Sequence, residues 1–459
     1  MAWAPLLVLL MLVALVGIAA LHARRVRSGE DFALAGRGLG AGVLVGTLVA
    51  TWVGTGSILG NAEFTYETGV AGFLLPASGL AGILLLARLA PRLRRYEVAT
   101  VPEVLGQAFG PAARRLGAVA LVGAYLVIVS YQYRAGAAVA ERLFPGLAWP
   151  PWVWSSAVAV FVMLFTGLAG LWSVAWTDLA AGLVILCGVV GSLVWLGAFG
   201  TLEALPAGHL DPGGGLGTLG WVNVLLPGFL LILGDANLMQ RFLAAKDPAT
   251  ARRAALGAFV GLAVVESAVI GLALLGRAAL GPDLANPAHV ILETSFRLVP
   301  AVLGLGLVAA VVAVVLSTAD SYLLASSTSL TEDLLPRGAR PPGAGRHRVL
   351  VVVLGLAALG LSFTSDAFFS VALYAYTLYG VTITPAFLAA LLAPRLPRGA
   401  VTGGMAAGLA VALAWKAAEA RGLFGEGSPL DPVLPALGAN VLVLVILAGV
   451  VRLRGRAAG

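Results

Sequence analysis

Residues 313–333 read AVVLSTADSYLLASSTSLTED and set Ser317, Thr318, Asp320 and Ser321 close together at the end of a long apolar run. On a helix, Ser317 and Ser321 lie one turn apart on one face, with Asp320 beside them and Thr318 on the flank. That face offers hard oxygen donors and neither sulfur nor imidazole, which suits an alkali or alkaline-earth cation better than a transition metal. A carboxylate near a bilayer centre costs about 2.5–3.5 kcal/mol on insertion scales, so Asp320 points to function. The structural alternative is that serine and threonine hydroxyls in such helices bond back to carbonyls one turn earlier.

Two other stretches interrupt apolar runs with glycine: GTGSILGN over 54–61 and GDAN over 234–237. Glycine-interrupted helices at matched positions of two halves are the sequence signature of a binding site between inverted repeats. Trp52, Gly54, Thr55, Gly56 and Ser57 at the first break, with Asp235 and Asn237 at the second, are therefore candidates for a solute cavity. Tyr131, Gln132 and Tyr133 are candidates for its side wall. A carboxylate at 235 can pair a cationic or zwitterionic solute, or hold the break together through backbone bonds. Trp52 can stack on a cation or serve as packing.

These residues need a membrane scaffold, and composition demands one. The chain has 459 residues, 60% hydrophobic and 11% charged, with a mean hydropathy of +0.97. Soluble domains carry about a quarter charged residues, so a soluble reading fails. Apolar runs long enough to span a bilayer predict about thirteen helices, among them 41–62, 220–239 and 299–330. The first run, 3–22, is expected to be a retained helix, because its basic flank follows it instead of preceding it. With the N-terminus outside and the C-terminus inside, the basic clusters at 24–37, 88–115, 241–253, 337–348, 395–398 and 452–456 all fall on the inner side. That is the expected bias of cytoplasmic loops. The expectation is an all-α polytopic protein of the plasma (inner) membrane, a single transport domain over 1–459. Residues 1–40 form a leading helix and inner loop, 41–200 and 216–394 two five-helix repeats (helices 2–6 and 7–11), and 395–459 two trailing helices.

Six strings resemble the sodium:solute symporter family: GRGLG (36–40), ATWVGTGSILGNAEFTYETG (50–69), TVPEVLGQAFG (100–110), GLWSVAWTDLAAG (170–182), QRFLAAKDPATARRA (240–254) and STADS (317–321). The resemblance implies a leucine-transporter-type core and a sodium ion between the first broken helix and the helix carrying STADS. Its implied ligands are the carbonyls of Ala50, Val53 and Val314 and the hydroxyls of Ser317 and Thr318. Some members hold a second ion, for which Asp178, Asp320 and Ser321 are the corresponding residues. Asp178 is otherwise a structural cap, and a carboxylate at 320 departs from members with serine there. The 50–69 string is similar to the high-affinity choline branch, although that branch has tryptophan where Asp235 stands.

The implied function is sodium-coupled symport of a small organic solute into the cell. The alternatives on the same fold are a membrane-embedded solute sensor and a proton-coupled transporter. No nucleophile–base pair suggests an enzyme. The net charge of +7 comes from arginines in short loops, with no aromatic-interleaved stripe for nucleic acid. Sodium is the only cofactor expected, and the partners are the solute and the lipid bilayer.

Overall fold

Inside a bilayer each backbone amide and carbonyl must find a partner within the protein, and this chain meets that demand with helices. The computed structural model describes residues 4–23, 26, 28–200, 202–335, 344–364, 368–423 and 431–457. Among them the only strand-like pairing is an isolated bridge between Leu39 and Ala245. The first helices in chain order are α1 (Ala4–Ala23), α2 (Gly29–Leu34), α3 (Ala41–Trp52), α4 (Ala62–Thr68), α5 (Leu74–Leu93), α6 (Val101–Phe109), α7 (Pro111–Leu143) and α8 (Pro151–Phe199). Then come α9 (Gly217–Gly234), α10 (Ala236–Leu243), α11 (Pro248–Leu280), α12 (Val290–Arg297) and α13 (Ala301–Ser329). The last are α14 (Ala344–Leu361), α15 (Phe368–Thr382), α16 (Thr384–Leu392), α17 (Arg398–Ala420) and α18 (Val433–Ala457).

Local sequence explains where these helices start and bend. Thr100 caps α6 by accepting from the Glu103 amide, with Pro102 in the first turn. Asp247 caps α11 by accepting from the Thr250 amide at 2.7 Å, and Pro248 follows it. The amide and hydroxyl of Thr250 hold the Asp247 carboxyl below the usual carboxylate range. Proline at a first helical position gives up no intrahelical bond, which is why these ends tolerate it. Within α8 the backbone changes direction at Gly170, where φ is +58° and ψ is 172°. Only glycine settles in that region, and Phe32 packs so closely there that an added Cβ would lie 3.0 Å from its ring.

Twelve segments of the described residues are long and apolar enough to cross a bilayer, and Ala41–Trp52 is a shorter apolar helix. The expected thirteen counted 41–62 as one span and 70–90 as the next. In the structure the first of these stops at Trp52, and apolar helical turns run from Gly56 to Leu93 with a positive φ at Gly69 between them. By length and composition alone, the described residues thus hold twelve such segments where the sequence suggests about thirteen. The centre of the molecule is α13, which packs along α8 and α7, while α3 packs on α8 and α11, and α5 on α9 and α11. Helices α17 and α18 pack chiefly on each other, against α15. The core they leave is largely apolar, with buried polar groups around the helix breaks and at other sites such as Asp333 and Asn440.

Replacing Gly170 with alanine should destabilise the fold by about 1–3 kcal/mol, the cost of a strained backbone position. A lower melting temperature of the detergent-purified protein would register it.

Candidate ion and solute site

Helix α3 ends because the backbone leaves the helical region at Val53, where ψ is 79°. The chain resumes through a wide π turn over Gly56–Asn61 and then α4. Carbonyls at the end of α3 lose their helical partners at this break. The Ser317 hydroxyl on α13 donates to the Ala50 carbonyl at 3.1 Å and to its own Val314 carbonyl at 3.4 Å. Thr318, one residue on, faces Gly54: a Cβ on that glycine would lie 3.3 Å from the Thr318 hydroxyl. The Thr318 hydroxyl is buried and has no hydrogen-bond partner. The serine and threonine therefore bring two hydroxyls to the broken end of α3, in a setting made of hard oxygens.

A second polar centre lies alongside. Asp178 on α8 is fully buried, and its Oδ2 accepts from the Thr47 hydroxyl at 2.5 Å, the Thr51 hydroxyl at 3.4 Å and the Arg241 guanidinium at 2.9 Å. Arg241 also donates to the Thr47 hydroxyl, the Asn237 carbonyl and side-chain oxygen, and the Ser321 hydroxyl. Asp178 and Ser321 thus meet as expected, but on a guanidinium rather than around open space. Asp320 is 1% exposed. Neither of its carboxylate oxygens accepts a hydrogen bond of normal geometry; Ser321 lies beside it, with Asp178 and Arg241 within electrostatic reach.

Arg241 is the principal correction to the sequence reading, which counted it among inner-loop charges. Its side chain is completely buried, the largest such side chain among the described residues. The available signal was its position, seven residues after Gly234 and one turn beyond the helix break.

The cavity next to the breaks is lined by Thr51, Trp52, Gly56, Ser57, Asn61, Leu75, Pro76, Gly228, Leu231, Ile232, Asp235, Leu238, Glu266, Tyr322 and Tyr376. Trp52, Gly56, Ser57 and Asp235 were expected there. Asp235 caps α10: its Oδ1 accepts from the Leu238 amide at 2.8 Å and its Oδ2 from the Tyr322 hydroxyl at 3.2 Å. It stabilises the second break and lines the cavity at once. The break is closed further by the Tyr379 hydroxyl on the Gly234 carbonyl and the Tyr125 hydroxyl on the Asn237 amide.

Of the residues expected there, Gly54, Thr55, Asn237, Tyr131, Gln132 and Tyr133 are not in the lining. Asn237 turns to Arg241 and does not line the cavity. The Tyr131 hydroxyl is hydrogen-bonded to Tyr376 and would lie 3.8 Å from a Cβ on Gly56, at the edge of the cavity. Tyr133 points the other way, towards Gly355 on α14. Gln132 is buried and accepts from the Thr55 hydroxyl, tying the first break to α7. The residue that sequence reasoning missed is Glu266 on α11. It accepts from the Trp52 indole at 3.0 Å and from the Ser57 hydroxyl at 2.6 Å. A lone carboxylate in the apolar run 254–276 was the signal, since such residues rarely sit in a membrane without a role. The Trp52 indole is positioned from its far side by Gly79 of α5, where any Cβ would collide with the ring.

Two broken helices facing one another across a midplane cavity, with hydroxyls at one break, are the architecture of a leucine-transporter-type secondary transporter. The structure superimposes on a Na+-coupled sialic acid symporter, in its substrate-bound outward-open state, with a TM-score of 0.83 over 97% of both chains at 14% identity. It also matches MHP1, a nucleobase-cation-symport-1 family transporter, with a TM-score of 0.60 over 91% of this chain and 92% of that one at 15% identity. The sequence pattern of the sodium:solute symporter family matches residues 32–408, and the chain belongs to that family.

Relatives include the high-affinity proline transporter PutP of Bacillus subtilis, 25% identical over 91% of this chain and 92% of its own length. High-affinity choline transporter 1 of Drosophila melanogaster is 28% identical over 76% of this chain, a match that spans only 60% of that protein's length. The sodium/pantothenate symporter of Escherichia coli is 26% identical over 70% of each chain. The protein is a multi-pass membrane transporter of the sodium-coupled symport class.

Removing Arg241 alone would leave Asp178 as an uncompensated buried charge. Arg241→Leu should cost about 3–5 kcal/mol, seen as a loss of folded yield and a fall in melting temperature. The double variant Arg241→Leu/Asp178→Asn should recover much of that loss. Equal damage in both would show that the pair is not the source of the effect.

Proposed function

We propose that this chain carries a small organic solute into the cell together with sodium, by alternating access around the cavity between the two helix breaks. The ion is held by the carbonyls of Ala50, Val53 and Val314 and the hydroxyls of Ser317 and Thr318. The observation that carries this reading is the meeting of Ser317 with the Ala50 carbonyl at 3.1 Å, beside a buried Thr318 hydroxyl that lacks any partner. A cation supplies what that hydroxyl oxygen and the freed carbonyls lack, and hard oxygens at a helix break suit sodium.

Binding of the ion then fixes the end of α3 against α13. That order favours solute in the adjacent cavity, and by linkage the solute raises affinity for the ion equally. With one positive charge moving inward alongside a neutral solute, 100 mV of membrane potential contributes about 2.3 kcal/mol, or about fiftyfold accumulation. In this reading residues 41–200 and 216–394 are the two inverted repeats that move against one another, with the N-terminus outside and the C-terminus inside.

A second cation at Asp178, Asp320 and Ser321 is part of the proposal. Arg241 already supplies positive charge to Asp178 and Ser321, which leaves Asp320 as the group that would take the further ion. A proton on Asp320 is the alternative supported by its unsatisfied carboxylate oxygens.

Proteoliposome uptake under an imposed sodium gradient tests the reading, with proline, choline and pantothenate as first solutes because relatives carry those names. Uptake should require sodium and collapse when potassium replaces it. Each of Ser317→Ala and Thr318→Ala should raise the half-saturating sodium concentration about ten- to hundredfold. That is the loss of one charge-assisted contact worth about 1.5–3 kcal/mol. Unchanged sodium dependence in both variants would refute the ion site.

A further inference from the structure

We propose that Glu266 is the specificity-determining residue of the cavity, and that the solute it selects carries a positively charged nitrogen with at least one N–H. This rests on the transport reading above and deepens it by naming the solute's chemistry. Four observations support it.

First, Glu266 is 2% exposed yet lines the cavity between the breaks. It sits on α11, outside both broken helices and outside the α13 hydroxyl cluster, so neither of those roles accounts for it. Second, its two oxygens are used unequally. Oε1 accepts from Trp52 and Ser57. The Asn61 carboxamide lies beside the carboxylate without closing a bond of normal geometry, and Oε2 is left with no hydrogen-bond partner. A buried carboxylate oxygen without a donor is costly, and an N–H of a bound solute would satisfy it.

Third, the charge lining the cavity is of one sign. Asp235 and Glu266 are its ionisable carboxylates, and no lysine, arginine or histidine is among the described residues that line it. Both Asp235 oxygens are already engaged, by the Leu238 amide and the Tyr322 hydroxyl. The acceptor free to read a solute is therefore on Glu266. A cation entering this low-dielectric space is favoured by both carboxylates, whereas an anion is opposed by both. Fourth, the two donors to Oε1 come from Trp52 and Ser57, which flank the first break. They orient the carboxylate and tie its position to the same segment that meets Ser317, so solute at Glu266 and ion at Ser317 would act on one mobile element.

The test uses the full-length protein in detergent and reads sodium-dependent thermal stabilisation across matched compounds. The pairs are ethanolamine against ethylene glycol, and L-proline against cyclopentanecarboxylate. Choline, D-glucose and pantothenate complete the set as a cation without N–H, a neutral solute and an anion. At least one N–H-bearing cation or zwitterion should stabilise the wild type in sodium, its partner without the charged nitrogen should not, and choline should be the weaker cation. Glu266→Gln, which keeps shape but removes charge, should weaken that ligand by at least about tenfold while preserving stabilisation by sodium alone.

The proposal is overturned if the stabilising compounds are neutral or anionic, if choline matches the best N–H-bearing compound, or if none of the N–H-bearing compounds acts on the wild type. It is also overturned if Glu266→Gln binds the cation as tightly as wild type, or if that variant loses the effect of sodium itself, which would assign Glu266 to the ion. The wild-type comparison stands even where the variant folds poorly. Failure of the underlying transport reading looks different: sodium then has no effect on the wild type, with or without solute.

Discussion

A helix broken inside a bilayer exposes carbonyl and amide groups where no water can meet them. The central architecture of this protein follows from that constraint. At the second break the protein supplies the partners itself: Asp235 takes the Leu238 amide, Tyr125 the Asn237 amide, and Tyr379 the Gly234 carbonyl. At the first break the Gly54 carbonyl takes the amides of Ser57 and Ile58, and Ser317 reaches the Ala50 carbonyl. The first break is also the one beside an unpartnered hydroxyl, that of Thr318. The backbone groups named at the second break are thus satisfied from within the protein, while the first lies beside a hydroxyl left open, an asymmetry suited to a site that must load and unload.

The buried charges sort into three settings with different physics. Asp178 and Arg241 are paired and further bonded to hydroxyls, which offsets the desolvation that an isolated buried ion would incur. Asp235 has both oxygens hydrogen-bonded at a helix start, where the first-turn amides favour a carboxylate. Asp178 Oδ1, both Asp320 oxygens and Glu266 Oε2 are buried without a partner, but only Asp178 has a cation bonded to its other oxygen, so Asp320 and Glu266 are where something from outside the chain has most to contribute. The proposed ion at Ser317 and Thr318 and the proposed solute at Glu266 lie about the same broken segment.

That segment links the two. Residues 50–57 present a carbonyl to Ser317, an indole and a hydroxyl to Glu266, and the Thr55 hydroxyl to Gln132. Coupling between ion and solute needs an element that both bias, and the short stretch from Ala50 to Ser57 touches both centres. Gly79 behind the indole allows α5 to approach closely enough to support Trp52 from the far side.

Much of this was legible in the residues alone. Membrane residence, an all-helical fold, the two breaks and the cluster at Ser317 and Thr318 follow from hydropathy, glycine placement and the expense of polar groups in apolar runs. These are local properties, and local sequence carries them. Residue partners are another matter. Arg241 read as a loop charge because it falls just past the expected span 220–239, and only packing of α10 against α3 and α13 encloses it. Asn237 and Tyr133 lie close in sequence to residues that do serve the site, yet point to Arg241 and to α14. A helical position sets direction only to within a turn, and direction there decides between cavity and core. Glu266 stood out as a carboxylate in an apolar run, but nothing local says that α11 brings it to Trp52, 214 residues away. The sequence by itself determined which groups are too expensive to bury without purpose. Tertiary structure alone decided which were satisfied and which were left open, because hydrogen bonding depends on angstrom-scale contact between segments distant in the chain.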